Sequence, residues 1–209
     1  MSTSLLLTAL SVGVVHTLLG PDHYLPFIMI SKARGWGIRK TAALTLLCGA
    51  GHIAGSVILG FAGLWFGINV LNLEAFEGAR GSVAAWGLIA FGLAYAVWGL
   101  RKAFAKQDAK EAAGKNITAW ILFIVFALGP CEPLIPILMY PAAANGGAWQ
   151  LCAVVFVFGA ATLTAMLFVV LNACYGLSFI SVKPVQRWAN ALAGLGILAC
   201  GLSMQFLGL

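Results

Sequence analysis

Charge is scarce in this chain, and the scarcity decides its class. Only 9% of its 209 residues are charged, 62% are hydrophobic, and the mean hydropathy is +0.99. A soluble globular domain carries about 25% charged residues. A soluble fold is therefore excluded, and an all-α integral membrane protein is expected. No polar stretch is long enough to fold separately, so residues 1–209 should form a single transmembrane domain. The net charge of +6 does not indicate nucleic acid, because the basic residues are spread over short connections. Cysteine is sparse and odd in number: Cys48, Cys131, Cys152, Cys174 and Cys200, all in apolar segments. That argues against a disulfide framework and for mostly small buried apolar side chains. The opening Met-Ser-Thr-Ser has no basic n-region, so the first apolar run is expected to be retained as a helix. No ATPase motif is found, and no enzymatic activity or prosthetic group is expected.

What the chain has in abundance is apolar sequence. A spanning helix needs about 20 mostly apolar residues. Six runs qualify, at about 4–30, 41–68, 82–100, 117–143, 148–180 and 185–207. Residues 31–40 hold Lys32, Arg34, Arg39 and Lys40, and residues 69–81 hold Glu74, Glu77 and Arg80. Residues 101–116 hold Arg101, Lys102, Lys106, Lys110 and Lys115 with Asp108 and Glu111, and the fifth connection holds Lys183 and Arg187. With six spans, the first, third and fifth connections share a side and carry every basic residue except Arg80. The positive-inside rule puts that side in the cytoplasm and both termini outside it. The expected location is the plasma membrane, as a multi-pass protein of a bacterial inner membrane.

The two halves resemble each other. Leu19-Gly20-Pro21-Asp22-His23 matches Leu128-Gly129-Pro130-Cys131-Glu132, and Ala50-Gly51-His52 sits over Ala160-Ala161-Thr162. Trp86, Gly92 and Gly99 align with Trp188, Gly194 and Gly201. The first repeat covers about 1–100, a cytoplasmic linker 101–116, and the second repeat 117–209. Three spans per repeat is an odd number, so the second copy enters from the opposite side. The result is an inverted repeat, a plan used by many secondary transporters. Helices one and four are interrupted at Gly-Pro.

Those interruptions carry the chemistry. Pro21 has no N–H to bond the Thr17 carbonyl, and Pro130 likewise frees Phe126. Freed carbonyls in a membrane must be satisfied within the protein or by cavity water. Of the six acids, four fall in connections, while Asp22 and Glu132 follow the Gly-Pro pairs. His16, His23 and His52 all lie within spans. A charge near the membrane centre costs roughly 2.5–3.5 kcal/mol on insertion scales, so such residues persist where they act or are partnered. Imidazole with carboxylate suits divalent first-row metals. His16 and His23 are seven apart. On an unbroken helix they would be about 10 Å apart, too far to share an ion unless the break shortens the distance. Gly51 and Gly55 permit close helix approach, expected to be by helix one, bringing His52 towards Asp22 and His23. Thr162 and Thr164 are further candidate ligands, Cys48 is read as packing, and Asn172 and Asn190 are read as interhelical hydrogen bonders. Trp36, Trp65, Trp120 and Trp149 look interfacial. No Lys or Arg is expected at membrane depth.

The string VVHTLLGPDHYLPF, followed by GAGHIAGSVILG, resembles signatures of the nickel/cobalt transporter family. It also resembles those of the urease-accessory and hydrogenase-associated nickel permeases. GPCEPLIP is similar to the wider lysine-exporter superfamily, which includes sulfite-exporter-like and thiol-electron-carrier members. The spacing between His16 and Asp22-His23 is five residues where the nickel/cobalt signature has four. The resemblance implies metal roles for His16, Asp22, His23 and His52, to which the repeat adds Cys131 and Glu132. The expected function is secondary transport of a divalent transition-metal ion, nickel or cobalt favoured, by alternating access through a midplane site. The drive is expected to be membrane potential, a proton gradient or an accessory protein, and Asp22, Glu132 and the histidines could couple protons, because metal binding displaces them. The expected surroundings are the lipid bilayer, with no nucleic acid and with a homodimer or an accessory protein compatible. One alternative is an exporter of a small anion or organic solute, using half-helix N-termini. Another is a thiol-disulfide electron carrier, for which Cys131 lacks a cysteine mate at Asp22.

Overall fold

The computed structural model describes residues 3–105, 117–140, 147–178 and 186–208, and every described element is helical. Helix α1 (Thr3–Leu19) runs into a single 3-10 turn (Pro21–His23) and then α2 (Leu25–Arg34). Next come α3 (Ile38–Phe66), α4 (Val70–Phe104), α5 (Ile117–Leu128), α6 (Leu134–Met139), α7 (Gly147–Ser178) and α8 (Ala189–Leu207).

Four helices, α3, α4, α7 and α8, are long and apolar enough to cross a membrane, and the bent pair α1/α2 makes a fifth candidate. Large apolar side chains on their outer surfaces are exposed, among them Ile58, Phe156 and Phe168. Such a surface suits a hydrocarbon environment, and these helices are those of a multi-pass membrane protein. The expected fourth span is divided: α5 has 12 residues and α6 has six. Pro130, Pro133 and Pro136 explain the division, since each removes a helical donor.

The connection expected at 69–81 is instead mostly helix. Asn69 caps α4 by accepting from the Leu71 amide, and the helix runs unbroken to Phe104. Glu74, Glu77 and Arg80 are therefore helical, and Glu77 is buried. Charged residues lower any hydropathy window, so apolar pattern alone places a connection where a capped helix begins. The basic cluster Lys106, Lys110 and Lys115, with Asp108, Glu111 and Lys183, lies outside the described residues.

Small residues set the closest helix contacts. On the α4–α8 face, a Cβ at Gly92 would lie 2.4 Å from Leu198 N, and one at Gly99 2.4 Å from Ala191 N. From the other side, a Cβ at Gly194 would lie 2.2 Å from Ala96 N, and one at Gly201 2.8 Å from Ile89 N. Glycine at these positions lets two backbones touch. The Gly51 and Gly55 face of α3 meets α5, not helix one: Gly51 faces Phe123 and Ala127, and Gly55 faces Ala127 and Arg80. Helix α1 packs instead on α7, where Gly13 lies against Phe158, Ala161 and Thr162.

A polar network ties one end of the bundle. Arg34 donates to Tyr95 Oη on α4 (2.9 Å) and Thr118 Oγ1 on α5 (2.7 Å). Tyr95 Oη in turn donates to Asn190 Oδ1 on α8 (3.0 Å). Asn190 is thus an interhelical bonder as expected, whereas Asn172 donates to Phe168 O of its own helix.

Candidate metal centre

The break after α1 builds the centre. Gly20 closes α1 by donating to His16 O (3.0 Å), and its extended backbone (φ −90°, ψ 97°) turns the chain out of the helix. Pro21 offers no N–H, so the helical ladder cannot resume at once. After one 3-10 turn α2 departs at 84° to α1. His16 and His23, on either side of the break, end with ring centroids 4.7 Å apart. On a continuous helix they would be about 10 Å apart along the axis. The break therefore makes neighbours of them.

Helix α3 contributes the third imidazole. The His52 ring lies edge-on to His23, centroids 5.0 Å apart. A Cβ at Gly129 would lie 3.1 Å from His52 Nδ1, so glycine lets the end of α5 sit against the ring. Two residues on, Cys131 is fully buried, and its amide donates to Ser56 Oγ on α3 (3.0 Å).

Ligand atoms of His16, His52 and Cys131 all lie within 4.8 Å of one another. A tetrahedral site with metal–nitrogen bonds near 2.0–2.1 Å and metal–sulfur bonds near 2.3 Å needs separations of about 3.3–3.6 Å. The farthest pair of ligand atoms would have to close by at most about 1.5 Å to reach that geometry. Nε2 of His16, His23 and His52 is buried without a hydrogen-bond partner in each case. An unpaired buried polar atom costs about 1–3 kcal/mol. Three such nitrogens in one cluster fit a bound cation.

Asp22 occupies a supporting place. His23 Nδ1 lies 3.1 Å from Asp22 Oδ1 and 3.2 Å from Gly20 O. Both partners accept, so Nδ1 carries a proton, and in the neutral ring Nε2 is then the lone pair. Carboxylates commonly hold metal-ligating histidines in this way. Glu132 is exposed, and with His16, Asp22 and His23 it lines a cavity of about 470 Å³. Of the six expected ligands, three converge, His23 adjoins them, Asp22 stands behind His23, and Glu132 is on the cavity wall. Thr162 is buried against Gly13 with Oγ1 unpaired, and Thr164 is exposed. Cys48 is buried in an apolar cluster with Phe27 and Met166, as expected for packing.

Sequence reasoning missed Ser56, Glu77 and Arg80. Arg80 Nη1 donates to Glu77 Oε1 (2.9 Å), and its other donors reach carbonyls at the end of α5. A basic side chain therefore does reach the level of the break. The i, i+3 spacing of Glu77 and Arg80 behind a capping Asn69 was the available signal. No protein-family model, curated protein or solved structure matches the chain.

Proposed function

We propose that this chain is a secondary transporter of a divalent transition-metal ion, with nickel or cobalt favoured. The observation that carries the reading is the convergence of His16, His52 and Cys131, with unpaired imidazole nitrogens, between two Gly-Pro breaks. Imidazole and thiolate suit borderline first-row ions better than calcium or magnesium. The ion exchanges part of its water for these ligands, and His23, held by Asp22, stands ready as a fourth.

The proposed frame has six spans as two inverted three-helix repeats, with α5 and α6 together as the broken fourth span. The helix contacts favour it. Exchanging the halves turns the α1–α7 pair into α5–α3 and leaves α4–α8 unchanged. The Gly99–Ala191 contact becomes Gly201–Ile89, and Gly92–Leu198 becomes Gly194–Ala96, when each residue is replaced by its aligned mate. Two-fold exchange of contacts is what a duplicated transporter requires.

The cavity beside the centre is walled by early turns of α4 (Gly78, Ser82) and the last turn of α8 (Gln205). With the basic connections in the cytoplasm, that mouth faces outward. The Arg34–Tyr95–Asn190 network ties α2, α4 and α8 together at the opposite end. The cavity supplies an outward path to the centre, and rocking of the repeats would present the ion to the cytoplasm. Membrane potential or a proton gradient supplies the drive.

An anion cargo is disfavoured because the Arg80 guanidinium is engaged by Glu77 and by backbone carbonyls. A thiol-disulfide carrier is disfavoured because Cys131 and Cys48 lie in separate clusters.

The test is metal flux into proteoliposomes across nickel, cobalt, zinc, iron, copper and manganese. His16→Ala, His52→Ala and Cys131→Ser should each abolish most of the flux seen for the preferred ion. Absence of flux and of binding for every metal, or full activity in all three variants, would sink the proposal.

A further inference from the structure

The carbonyl oxygens at the end of α5 are gathered by one side chain from another helix. Pro130 and Pro133 leave that end without its usual donors. Arg80 supplies them: Nε donates to Leu128 O (3.3 Å), and Nη2 to Gly129 O (2.9 Å) and Ala127 O (3.4 Å). Nη1 turns the other way, to Glu77 Oε1 (2.9 Å). The Arg80 side chain is 14% exposed and that of Glu77 1%. Burying two such charges costs several kcal/mol of desolvation per ion, which the pair and its hydrogen bonds must offset. An apolar pair would avoid that cost but would leave the carbonyls of Ala127, Leu128 and Gly129 without the donors Arg80 gives them. The pair thus holds the broken end of α5.

That role follows from what comes next in the chain. Arg80 holds the carbonyl of Gly129, and Ser56 holds the amide of Cys131. Pro130, between them, has a restricted φ. The short segment 129–131 is thus tied at both ends, which fixes where the Cys131 side chain starts. From there Sγ lies within 4.8 Å of ligand atoms of His16 and His52. A lysine could neutralise the helix end but could not fork across three carbonyls while meeting Glu77.

We propose that Arg80 and Glu77 are positioning residues of the metal centre. Arg80 clamps the broken end of α5 and so aims Cys131 Sγ at the ion. Glu77 orients the guanidinium and balances its charge. The proposal rests on the metal-binding reading above and adds the device that sets the thiolate in place.

The test is Co²⁺ titration of the purified full chain in detergent, followed by absorbance. Near-ultraviolet thiolate-to-cobalt charge transfer reports Cys131 ligation, while visible ligand-field bands report binding as such. Cys131→Ser defines the spectrum without the thiolate. Arg80→Lys should approach that spectrum, retaining ligand-field bands, with affinity weakened about 10–100-fold. Glu77→Gln should move the same way by a smaller factor, and it carries the test if Arg80→Lys does not fold. A folded Arg80→Lys or Glu77→Gln protein with wild-type affinity and a full charge-transfer band overturns the clamp alone. Wild type that binds no Co²⁺ overturns the metal reading and the clamp with it.

Discussion

His16 and His23 are seven residues apart in sequence, and their imidazole rings stand nearly perpendicular, with centroids 4.7 Å apart. The Gly20-Pro21 break creates this pairing by swinging α2 through 84°. Two imidazoles that a straight helix would hold about 10 Å apart become neighbours at one point.

The first prediction concerns Gly20. A Cβ there would lie 2.6 Å from His23 Nδ1 and 2.7 Å from Asp22 Oδ1. Gly20→Ala should push His23 off its carboxylate and weaken metal affinity about 10–100-fold. Equilibrium metal binding by the detergent-purified protein measures it, and unchanged affinity would show that His23 orientation is irrelevant to the site.

Asp22 and His23 should separate in a second measurement. Asp22→Asn keeps an acceptor oxygen but loses the charge that holds His23 Nδ1–H. It should cost about 10–100-fold in affinity while leaving the ligand count intact. His23→Ala should instead lower the ligand count seen by X-ray absorption of the bound metal. Equal coordination numbers in wild type and His23→Ala would limit the inner set to His16, His52 and Cys131.

Affinity should rise with pH. The ion needs neutral imidazoles at His16 and His52 and a thiolate at Cys131, so binding expels protons. Acidification returns those protons and weakens binding; alkalinisation has the opposite sign. Titration in two buffers of different ionisation enthalpy would count the protons released, and a count of zero would contradict the proposed ligands.

Stability should be most sensitive where α4 and α8 touch. Gly194→Ala would place a methyl 2.2 Å from Ala96 N, forcing the backbones apart at a cost of about 1–3 kcal/mol. Gly176, also helical, has nothing within 4 Å of its would-be Cβ. Gly176→Ala should be neutral, or stabilising by up to about 1 kcal/mol. Thermal melts in detergent compare the two, and equal melting temperatures would argue against the tight α4–α8 seam.

Much of the molecule was legible in its sequence, because the relevant costs are local. Scarce charge and long apolar runs identify membrane helices, since each residue's transfer free energy is its own property. Gly20-Pro21 and Gly129-Pro130 mark the breaks, since a missing N–H needs no tertiary context to be missing. The same reasoning singled out the three histidines, Asp22, Cys131 and Glu132 as side chains too costly to be incidental. Tertiary structure decided which of them meet. The sequence does not state the angle at which a broken helix continues, so it could not tell that His16 and His23 would pair. Nor does it state which helix a glycine face will receive, so Gly51 and Gly55 met α5 instead of helix one. Glu77 and Arg80 read as loop residues because hydropathy registers their charge and not their partner. Only the packing of α4 against the end of α5 shows that each charge is matched and that the pair holds the segment carrying Cys131.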